Sequence, residues 1–138
     1  MSDCIFCRIT AKEVPSNIIY EDDQVLVLLD QFPASRGHTL VIPKAHCENI
    51  FDIPEDTAAH LQRIVVRTAK VLRGMLGAPD INVLQNNGGA AGQTVFHYHV
   101  HLIPRCEGDD VNIGWKVNRQ GDAELAAYAH SLRNAFSV

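Results

Sequence analysis

Histidine alternates with apolar residues in one segment of the sequence, His97-Tyr98-His99-Val100-His101-Leu102-Ile103. On a β-strand, successive side chains point to opposite faces, so this spacing predicts three imidazoles on one face and an apolar face that packs on a core. Neutral imidazole can act as a nucleophile, a proton carrier or a metal ligand near pH 7. The alternative is a chance row of solvent-facing histidines, which the strict alternation disfavours.

The length of this row limits what the three imidazoles can do together. At about 3.3 Å per residue, His97 and His101 would lie roughly 13 Å apart along an extended strand. Zinc–nitrogen bonds are about 2 Å long, so one zinc ion cannot bind all three side chains, although adjacent pairs could share a metal ion. The sequence therefore predicts a row of histidines with different tasks.

A segment of small residues, 86–94, directly precedes the histidine row. Glycine lets backbone N–H groups approach an anion closely, and Gln93 and Thr94 add side-chain donors. The segment lacks the lysine of a Walker loop, and a predicted strand follows it where that motif has a helix. It is therefore interpreted either as a hairpin connection or, beside the histidines, as a cradle for phosphate.

Cysteine and histidine are prominent in this chain of 138 residues, with four Cys and seven His against one Trp and two Met. Cys4 and Cys7 have the Cys-x-x-Cys spacing of metal-binding and redox motifs, and free thiols are the alternative. Asp3 stands where a secretory signal would be basic, and no run of 18 apolar residues occurs, so we expect a cytoplasmic protein with no membrane span. Thiols are mostly reduced in that compartment, which favours a metal site over a disulfide.

The charge balance excludes some classes of partner. Twelve basic and sixteen acidic side chains give a formal net charge of −4. Without clustered Lys and Arg, the sequence disfavours polymeric nucleic acid and anionic membranes as partners. The hydrophobic content of 46% and the charged content of 20% are typical of a globular protein, and the length fits one domain over residues 1–138.

The hydrophobic periodicity predicts an α+β fold in the order β-β-β-α-β-β-α. We expect an antiparallel sheet of about five strands, near residues 18–20, 25–29, 38–42, 81–85 and 95–103. The last of these strands would carry the histidine row and would follow the glycine-rich loop.

Two helices are predicted beside the sheet. The long one runs from Glu55 to about Gly74, and its apolar face is formed by Leu61, Ile64, Val65, Leu72 and Met75. The C-terminal one runs from Asp122 to Phe136, and its apolar face is formed by Leu125, Ala129, Leu132 and Phe136. His60 and His130 lie off these faces, so both are predicted to be solvated.

The segment 97–103 matches the pattern His-φ-His-φ-His-φ-φ, with φ apolar, at every position and so resembles the signature of the histidine triad (HIT) superfamily. The resemblance extends from Cys4 to Arg105 and includes Asp30, the segment 37–46, Asn86 and the segment 92–95. The chain is similar to the Hint-like branch, including bacterial members with a Cys-x-x-Cys zinc knuckle. The resemblance implies a HIT-like fold, a C-terminal extension over about 106–138, and a homodimer.

The resemblance also implies an activity. Its members hydrolyse AMP-X substrates of the phosphoramidate type at the α-phosphorus through a nucleotidyl-histidine, which assigns the nucleophile to His99 and requires no catalytic metal. The substrate would be a purine nucleotide. The implied substrate-binding residues are Asp30, His38, Asn86, Gly92, Gln93, Thr94 and His101. The alternatives are a dinucleoside polyphosphate hydrolase that uses the same His99, and a zinc-stabilised nucleotide-binding protein with little turnover.

A structural zinc site is implied in the same way, because the positions of the knuckle-bearing members' ligands are occupied by Cys4, Cys7, His46 and His97. Two thiolates and two imidazoles make a closed tetrahedral site, which is structural rather than catalytic. A zinc-bound His97 could not act as a general acid or base, so His99 and His101 would remain for chemistry.

The C-terminal extension departs from the compact phosphoramidases, which end soon after the histidine motif. We expect this extension to build the leaving-group side of the pocket. Arg105, Trp115 and Lys116 are the candidate contributors, with a packing role as the alternative for Trp115.

Overall fold

One five-stranded antiparallel sheet carries the candidate site in the computed structural model, which describes residues 3–78 and 80–136. The strands are β1 (Ile18–Glu21), β2 (Val25–Leu29), β3 (Thr39–Pro43), β4 (Asp80–Leu84) and β5 (Val100–Arg105). Their order across the sheet is β1-β2-β3-β5-β4, with antiparallel pairing throughout. The helices are α1 (Ile5–Thr10), α2 (Glu55–Leu76) and α3 (Asp122–Ala135). The predicted α+β class and the five strands are confirmed.

The two faces of the sheet bury two separate hydrophobic clusters. On β2, Val25 and Val27 point to the cluster beneath α2, whereas Leu26 and Leu28 point to the cluster beneath α1. This division follows from the two-residue period of a strand. All four side chains are buried, and burial of one such side chain contributes about 1.5–3 kcal/mol, so the central strands form a rigid platform.

Helix α2 covers one face of the sheet. It begins after Pro54 and ends at Gly77, which adopts the left-handed conformation (φ 64°) that glycine accommodates at a helix end. Its buried residues are Leu61, Ile64, Val65, Thr68 and Leu72. Met75 is 79% exposed, so its predicted place on the buried face is wrong. The helix extends two residues beyond the predicted end at Gly74.

Helix α1 is a feature that the sequence periodicity did not reveal. It spans six residues, too few to display a helical repeat, and it buries Phe6 and Ile9 in the cluster on the second face of the sheet. The sulfur of Cys4 accepts a hydrogen bond from the backbone N–H of Cys7 at 3.4 Å and so caps the helix start. The Cys-x-x-Cys segment is therefore a helical turn docked on the sheet.

The strand that carries the histidine row is shorter than predicted. It begins at Val100 rather than Val95, so His97 and His99 precede β5 and only His101 lies on it. A competing hydrogen bond accounts for this: Tyr98 donates its backbone N–H to the carbonyl of Cys47 at 2.7 Å, which lies outside the sheet ladder. The apolar residues of the row, Tyr98, Val100 and Leu102, are buried in the cluster beneath α2 as predicted.

The C-terminal helix forms where it was predicted, but its apolar face packs on nothing in the described chain. Every residue from 112 to 136 is exposed, including all of α3. The segment that precedes α3 is held at residues 109–111 by Arg105, which donates two hydrogen bonds to the carboxylate of Asp109 at 2.8 Å each and one to the carbonyl of Val111 at 2.9 Å.

Among the described helices, none combines the length and the apolar character needed to cross a membrane.

Candidate active site and metal centre

His99 is held in one tautomer by the backbone. Its Nδ1 lies 2.7 Å from the carbonyl oxygen of His97, so Nδ1–H donates and Nε2 is left unprotonated in the neutral ring. The side chain is buried, and Phe6 contacts it edge-on with ring centroids 5.2 Å apart. Burial lowers the pKa of His99, which keeps the imidazole neutral near pH 7. A neutral ring with a free Nε2 is a competent nucleophile.

His101 is held in the opposite tautomer by a chain of hydrogen bonds. The backbone N–H of Ala34 donates to Nδ1 of His38 at 2.9 Å, so the proton of the neutral His38 ring is on Nε2. That Nε2 lies 2.9 Å from Nδ1 of His101 and donates to it. The remaining proton of the neutral His101 ring is therefore on Nε2. The site thus sets an acceptor atom on His99 beside a donor on His101, with ring centroids 4.9 Å apart.

The environment keeps the pair His38 and His101 uncharged. Burial, followed by the neighbouring His99 and His38, lowers the pKa of His101 to about 4. Burial also lowers the pKa of His38, against an opposing effect of Asp30, whose Oδ2 lies 3.5 Å from its Nε2. Both rings are therefore neutral at pH 7, as the hydrogen-bond chain requires.

The depressed pKa of His101 predicts a loss of stability in acid. The unfolded chain binds a proton at this residue below its ordinary pKa of 6.5, whereas the folded chain binds it only below about 4. The free energy of unfolding should therefore fall as the pH decreases from 6.5 to 4. His101→Gln should flatten this slope, and His130→Gln on exposed α3 should not. Urea denaturation at pH 7.5, 6, 5 and 4.5 measures the slopes; equal slopes for wild type and His101→Gln would contradict the assignment.

A cavity of about 480 Å³ opens beside His99 and His101. One part of it is apolar and is lined by α1 and the adjoining strands, with Phe6, Ile9, Leu28 and Leu40 among the lining residues. Asp30, Thr94 and the two histidines line the polar part. Sequence reasoning missed the apolar part, because its residues come from separate elements and each one alone resembles ordinary core.

Asp30 is held at the polar side of this cavity. Its Oδ1 accepts the backbone N–H of Phe32 at 2.8 Å, and it lies directly after β2. One oxygen is thus fixed by the turn, and Oδ2 is directed toward His38. The structure brings Asp30, His38, His99, His101 and Thr94 together at this side of the cavity.

The glycine-rich loop is built around Gln93, whose side chain does not add a donor to the cavity. Its Oε1 accepts the N–H of Gly88 at 2.8 Å, and its Nε2 donates to the carbonyls of Glu48 at 2.7 Å and Val95 at 3.1 Å. The prediction of Gln93 as a side-chain donor to phosphate is therefore wrong, since the buried carboxamide is already saturated. Gln93 instead positions the loop.

The remaining loop residues form a turn before Gln93 and continue to Thr94 after it. Gly92 has a φ of 93°, in the region that favours glycine, and it follows a 3₁₀ turn over Gly89–Ala91. The Asn86 side chain donates to the carbonyl of Gly92 at 3.5 Å. Thr94 is exposed and lines the cavity. The loop is a preformed turn with Thr94 at its cavity end.

Replacement of Gln93 by leucine should destabilise the fold by about 2–4 kcal/mol, because it removes the three hydrogen bonds of a buried carboxamide. Gln62→Leu, at an exposed position of α2, is the matched control and should change stability by less than about 0.5 kcal/mol. Urea denaturation measures both. A Gln93→Leu variant as stable as the control would show that the carboxamide is not a structural element of the loop.

Cys4, Cys7, His46 and His97 converge on one point although up to 93 residues separate them. The Nδ1 atom of His97 lies 3.4 Å from the sulfur of Cys4 and 3.2 Å from Nδ1 of His46. The sulfur of Cys7 lies 3.3 Å from Nδ1 of His46 and 3.6 Å from that of His97. All four ligand atoms lie within 4.8 Å of one another, so these residues could hold a metal ion.

The separations of the four ligand atoms fit a tetrahedrally coordinated ion. Bonds of about 2.3 Å to sulfur and 2.0–2.1 Å to nitrogen, at tetrahedral angles, separate ligand atoms by about 3.3–3.8 Å. A hydrogen bond orients the His97 ring: its Nε2 donates to the carbonyl of Pro43 at 2.7 Å, which leaves Nδ1 free to bind a metal ion. The carbonyl of the same residue accepts the Nδ1–H of His99, so the candidate metal centre adjoins His99.

A second group of possible ligands, Asp30, His38 and His101, also lies within 4.8 Å. The hydrogen bond from Ala34 occupies Nδ1 of His38, which leaves the proton on the Nε2 that faces this group. A metal ion would have to displace that proton. The hydrogen-bond chain, rather than metal binding, explains this group.

The three candidates for the leaving-group side of the pocket, Arg105 at the end of β5 and Trp115 and Lys116 in the extension, do not line the cavity. Arg105 bonds to Asp109 and, through Nη1, to Asn82 at 2.7 Å. Trp115 is 85% exposed, and Lys116 is exposed as well. The expectation that they build the leaving-group side of the pocket is therefore not met within the described chain.

The two helix histidines differ from each other. His130 is exposed as predicted. His60 is half-buried, with Nε2 2.8 Å from Oδ2 of Asp22, so its prediction as a solvated residue is wrong. Burial alone would raise the pKa of Asp22, but hydrogen bonds from the N–H of Gln24, from His60 and from the N–H of Val25 outweigh it and lower the pKa to about 2. The pair ties α2 to the hairpin between β1 and β2.

Comparison with known proteins identifies the family in which this site occurs. The family profile described as HIT domain matches residues 11–108. The chain belongs to the HIT family. Protein hit of Bacillus subtilis (strain 168) is 44% identical over 117 residues, which is 84% of this chain and 81% of that protein. Adenylylsulfatase HINT3 of Arabidopsis thaliana is 42% identical over 108 residues, covering 78% of this chain but 55% of that longer protein.

Solved structures of HIT proteins share the fold over nearly the whole chain. The crystal structure of a member of the HIT family from Bacillus subtilis has a TM-score of 0.92 and 38% identity, and the match covers 99% of each chain. The crystal structure of a zinc-bound histidine triad family protein from Mycobacterium smegmatis has a TM-score of 0.77 and 39% identity, covering 98% of this chain and 99% of that one. The recognition of the HIT family from the histidine row is confirmed.

Proposed function

We propose that this HIT protein is a nucleotide hydrolase that cleaves AMP-X substrates of the phosphoramidate type at the α-phosphorus. The observation that carries the proposal is the pair of opposite tautomers at one cavity: an unprotonated Nε2 on His99 beside a protonated Nε2 on His101. A phosphoryl centre needs a nucleophile for phosphorus and a hydrogen-bond donor for its oxygens, and these two atoms supply them.

The reaction would proceed in two displacements. In the first, the Nε2 lone pair of His99 forms a bond to the α-phosphorus, and the bond from phosphorus to the leaving group X breaks with its electron pair on X. In the second, water attacks the same phosphorus and releases a proton to solvent, which offsets the proton that X takes up from solvent; the phosphorus–nitrogen bond breaks, and AMP leaves with the ring of His99 restored. The carbonyl of His97 holds the Nδ1 proton throughout and stabilises the positive charge that develops on the ring.

The surrounding residues suggest how a purine nucleotide would bind. The apolar part of the cavity is suited to a base, and the fixed carboxylate of Asp30 is suited to accept hydrogen bonds from ribose hydroxyls. His101 and Thr94 would donate to phosphate oxygens, with backbone support from Gly92. His38 and Asn86 would act by orienting His101 and the loop, respectively.

We also propose that the ion held by Cys4, Cys7, His46 and His97 is zinc in a structural role. The two-thiolate, two-imidazole donor set and the ligand separations support zinc, and a closed set of four protein ligands leaves no open position for substrate. The zinc-bound HIT protein from Mycobacterium smegmatis is consistent with this. Zinc would fix α1 and His97 relative to the sheet, and the chemistry at phosphorus would need no metal from this site.

The name of one relative also supports the proposed activity. The relative from Arabidopsis thaliana is named an adenylylsulfatase, an enzyme that acts on an adenylyl compound. For the homodimer that we also propose, the outer edge of β4 is available. In the described chain β4 pairs only with β5, so the sheet can continue into a second copy.

The test compares adenosine 5′-phosphoramidate with diadenosine tetraphosphate as substrates of the purified zinc-loaded protein. The proposal expects kcat/KM for the phosphoramidate to exceed that for the tetraphosphate. The reverse preference would make the chain a dinucleoside polyphosphate hydrolase that uses the same His99. If the protein binds AMP but cleaves neither compound, it is a nucleotide-binding protein and the hydrolase proposal fails.

A further inference from the structure

One buried hydroxyl group beside the cavity has no hydrogen-bond partner. Among the buried side-chain nitrogen and oxygen atoms of the described residues, Oγ of Ser16 is the one that lacks a partner. Buried polar groups in folded proteins are nearly always paired, so an unpaired one needs an explanation. Ser16 lines the same cavity as His99 and His101. Rotation about the single χ1 angle can turn its hydroxyl group toward the cavity, where a bound ligand can supply the missing partner.

Ser16 lies near the residue that is proposed to hold the ribose. The backbone N–H of Leu29 donates to the carbonyl of Asn17 at 2.9 Å, so the segment 16–17 lies next to the segment 29–31. Asp30 and Gln31 belong to the second segment, and both line the cavity together with Ser16. Base and ribose are directly bonded in a nucleoside. A base whose ribose binds Asp30 therefore lies close to the side chains of Ser16 and Gln31.

The polar groups at this end of the cavity carry donors and acceptors without a net charge. The carboxamide of Gln31 is exposed and remains available to a ligand, unlike the saturated carboxamide of Gln93. Among the described residues that line the cavity there is no Lys or Arg, and Asp30 is the one carboxylate. Each hydroxyl and each carboxamide can both donate and accept a hydrogen bond.

We propose that this end of the cavity selects adenine over guanine, and that Ser16 and Gln31 determine the selection by hydrogen bonds to the edge of the base. The inference rests on the nucleotide function proposed above, and it adds which base is bound and which residues choose it. Adenine presents one donor, its 6-amino group, beside one acceptor, a ring nitrogen. A carboxamide matches this pair with its own donor and acceptor, and the hydroxyl group of Ser16 supplies a further partner.

Guanine fits these groups less well. Its O6 and N7 are adjacent acceptors, which call for the two donors of an Arg or a Lys. Its N1–H and 2-amino groups are adjacent donors, which call for a carboxylate. The carboxylate of Asp30 already accepts the N–H of Phe32 at 2.8 Å and faces His38. A bound guanine would therefore leave polar atoms unpaired beside the apolar walls of the cavity, which weakens binding.

Titration calorimetry of the zinc-loaded protein with three nucleoside monophosphates tests the inference. They are AMP, GMP and purine riboside 5′-monophosphate, which is AMP without its 6-amino group. All three lack a leaving group on phosphorus, so binding is measured without turnover. We expect the wild type to bind AMP at least about 10-fold more tightly than GMP, and about 5- to 10-fold more tightly than the purine riboside compound.

Two variants assign this preference to the named side chains. Ser16→Ala and Gln31→Leu should each weaken AMP binding by about 5-fold and leave binding of the purine riboside compound within about 2-fold. The second ligand also reports whether each variant has folded. Ser131→Ala on α3 and Gln62→Leu on α2 are the matched controls at exposed positions and should change neither affinity.

The outcomes separate this inference from the proposed function. If both variants weaken the two ligands by the same factor, their side chains act structurally and the inference is overturned. GMP binding as tight as AMP binding in the wild type also overturns it and leaves the nucleotide function standing. If the folded, zinc-loaded protein binds none of the three monophosphates, the nucleotide function itself fails and the inference fails with it.

Discussion

Replacement of His99 by alanine is expected to lower kcat/KM for adenosine 5′-phosphoramidate by about 10³-fold or more, since it removes the only atom that can form the covalent bond to phosphorus in the proposed reaction. Nε2 of this residue is unprotonated because Nδ1–H donates to the carbonyl of His97 at 2.7 Å. Among the described residues that line the cavity, no second imidazole offers an equivalent lone pair, because His101 carries its proton on Nε2. Steady-state kinetics on the zinc-loaded protein measures the loss.

The control for this prediction is His130→Ala, which removes an exposed imidazole on α3 and should leave kcat/KM within about 2-fold. A chemical signature adds to the kinetics. Rapid quenching of the wild type with substrate should trap a nucleotidyl adduct on His99 by mass spectrometry, and His99→Ala should trap none. Full activity in His99→Ala, or an adduct on another residue, would show that the nucleophile is misassigned.

Substitution of Cys7 by serine is expected to abolish stoichiometric zinc binding and to lower the free energy of unfolding by about 3 kcal/mol or more, which corresponds to roughly 10 °C in Tm. The reason is that the ion would tie helix α1, the loop after β3 and the segment before β5 through Cys7, His46 and His97. Elemental analysis should give about one zinc per chain in the wild type and none in the variant. Thermal denaturation with and without a chelator measures the stability.

Cys106→Ser is the matched control, because Cys106 is exposed and is not one of the clustered ligands. It should retain zinc and Tm. The metal centre should also affect the rate, since the carbonyl of His97 orients His99 and Phe6 contacts both rings, with centroids at 5.7 Å and 5.2 Å. In Cys7→Ser below its Tm, we therefore expect kcat to fall more than KM rises. A metal-free wild type with unchanged Tm would refute the structural role.

Much of the architecture followed from local patterns. The apolar runs of β2 and β3 and the helical repeat of α2 were sufficient to predict the sheet and its long helix, because each element has a strong periodicity of its own. Elements without such a signal were missed or misplaced. Helix α1 has six residues, and the start of β5 was displaced by the hydrogen bond between Tyr98 and the carbonyl of Cys47, a partner distant in sequence.

The site shows the same division. Residue types and spacing alone indicated a histidine row and a Cys-x-x-Cys pair. With the resemblance to the HIT family, His99 as the nucleophile and the four metal ligands could be proposed. The role of Gln93 could not, since a carboxamide that binds phosphate and one that binds its own loop are identical in sequence. Its three hydrogen bonds, to the N–H of Gly88 and to the carbonyls of Val95 and the distant Glu48, decided between them.

The amino-acid sequence displays the chemically active groups: a row of alternating histidines, a Cys-x-x-Cys pair, a glycine-rich loop and the α+β elements that carry them. The protonation and the surroundings of each group depend on long-range contacts. His38 and His101 are 63 residues apart, and their hydrogen bond sets which nitrogen of His101 carries the proton. Likewise, only the structure left the apolar face of α3 uncovered, because whether an amphipathic helix finds a partner depends on long-range packing rather than on its own periodicity.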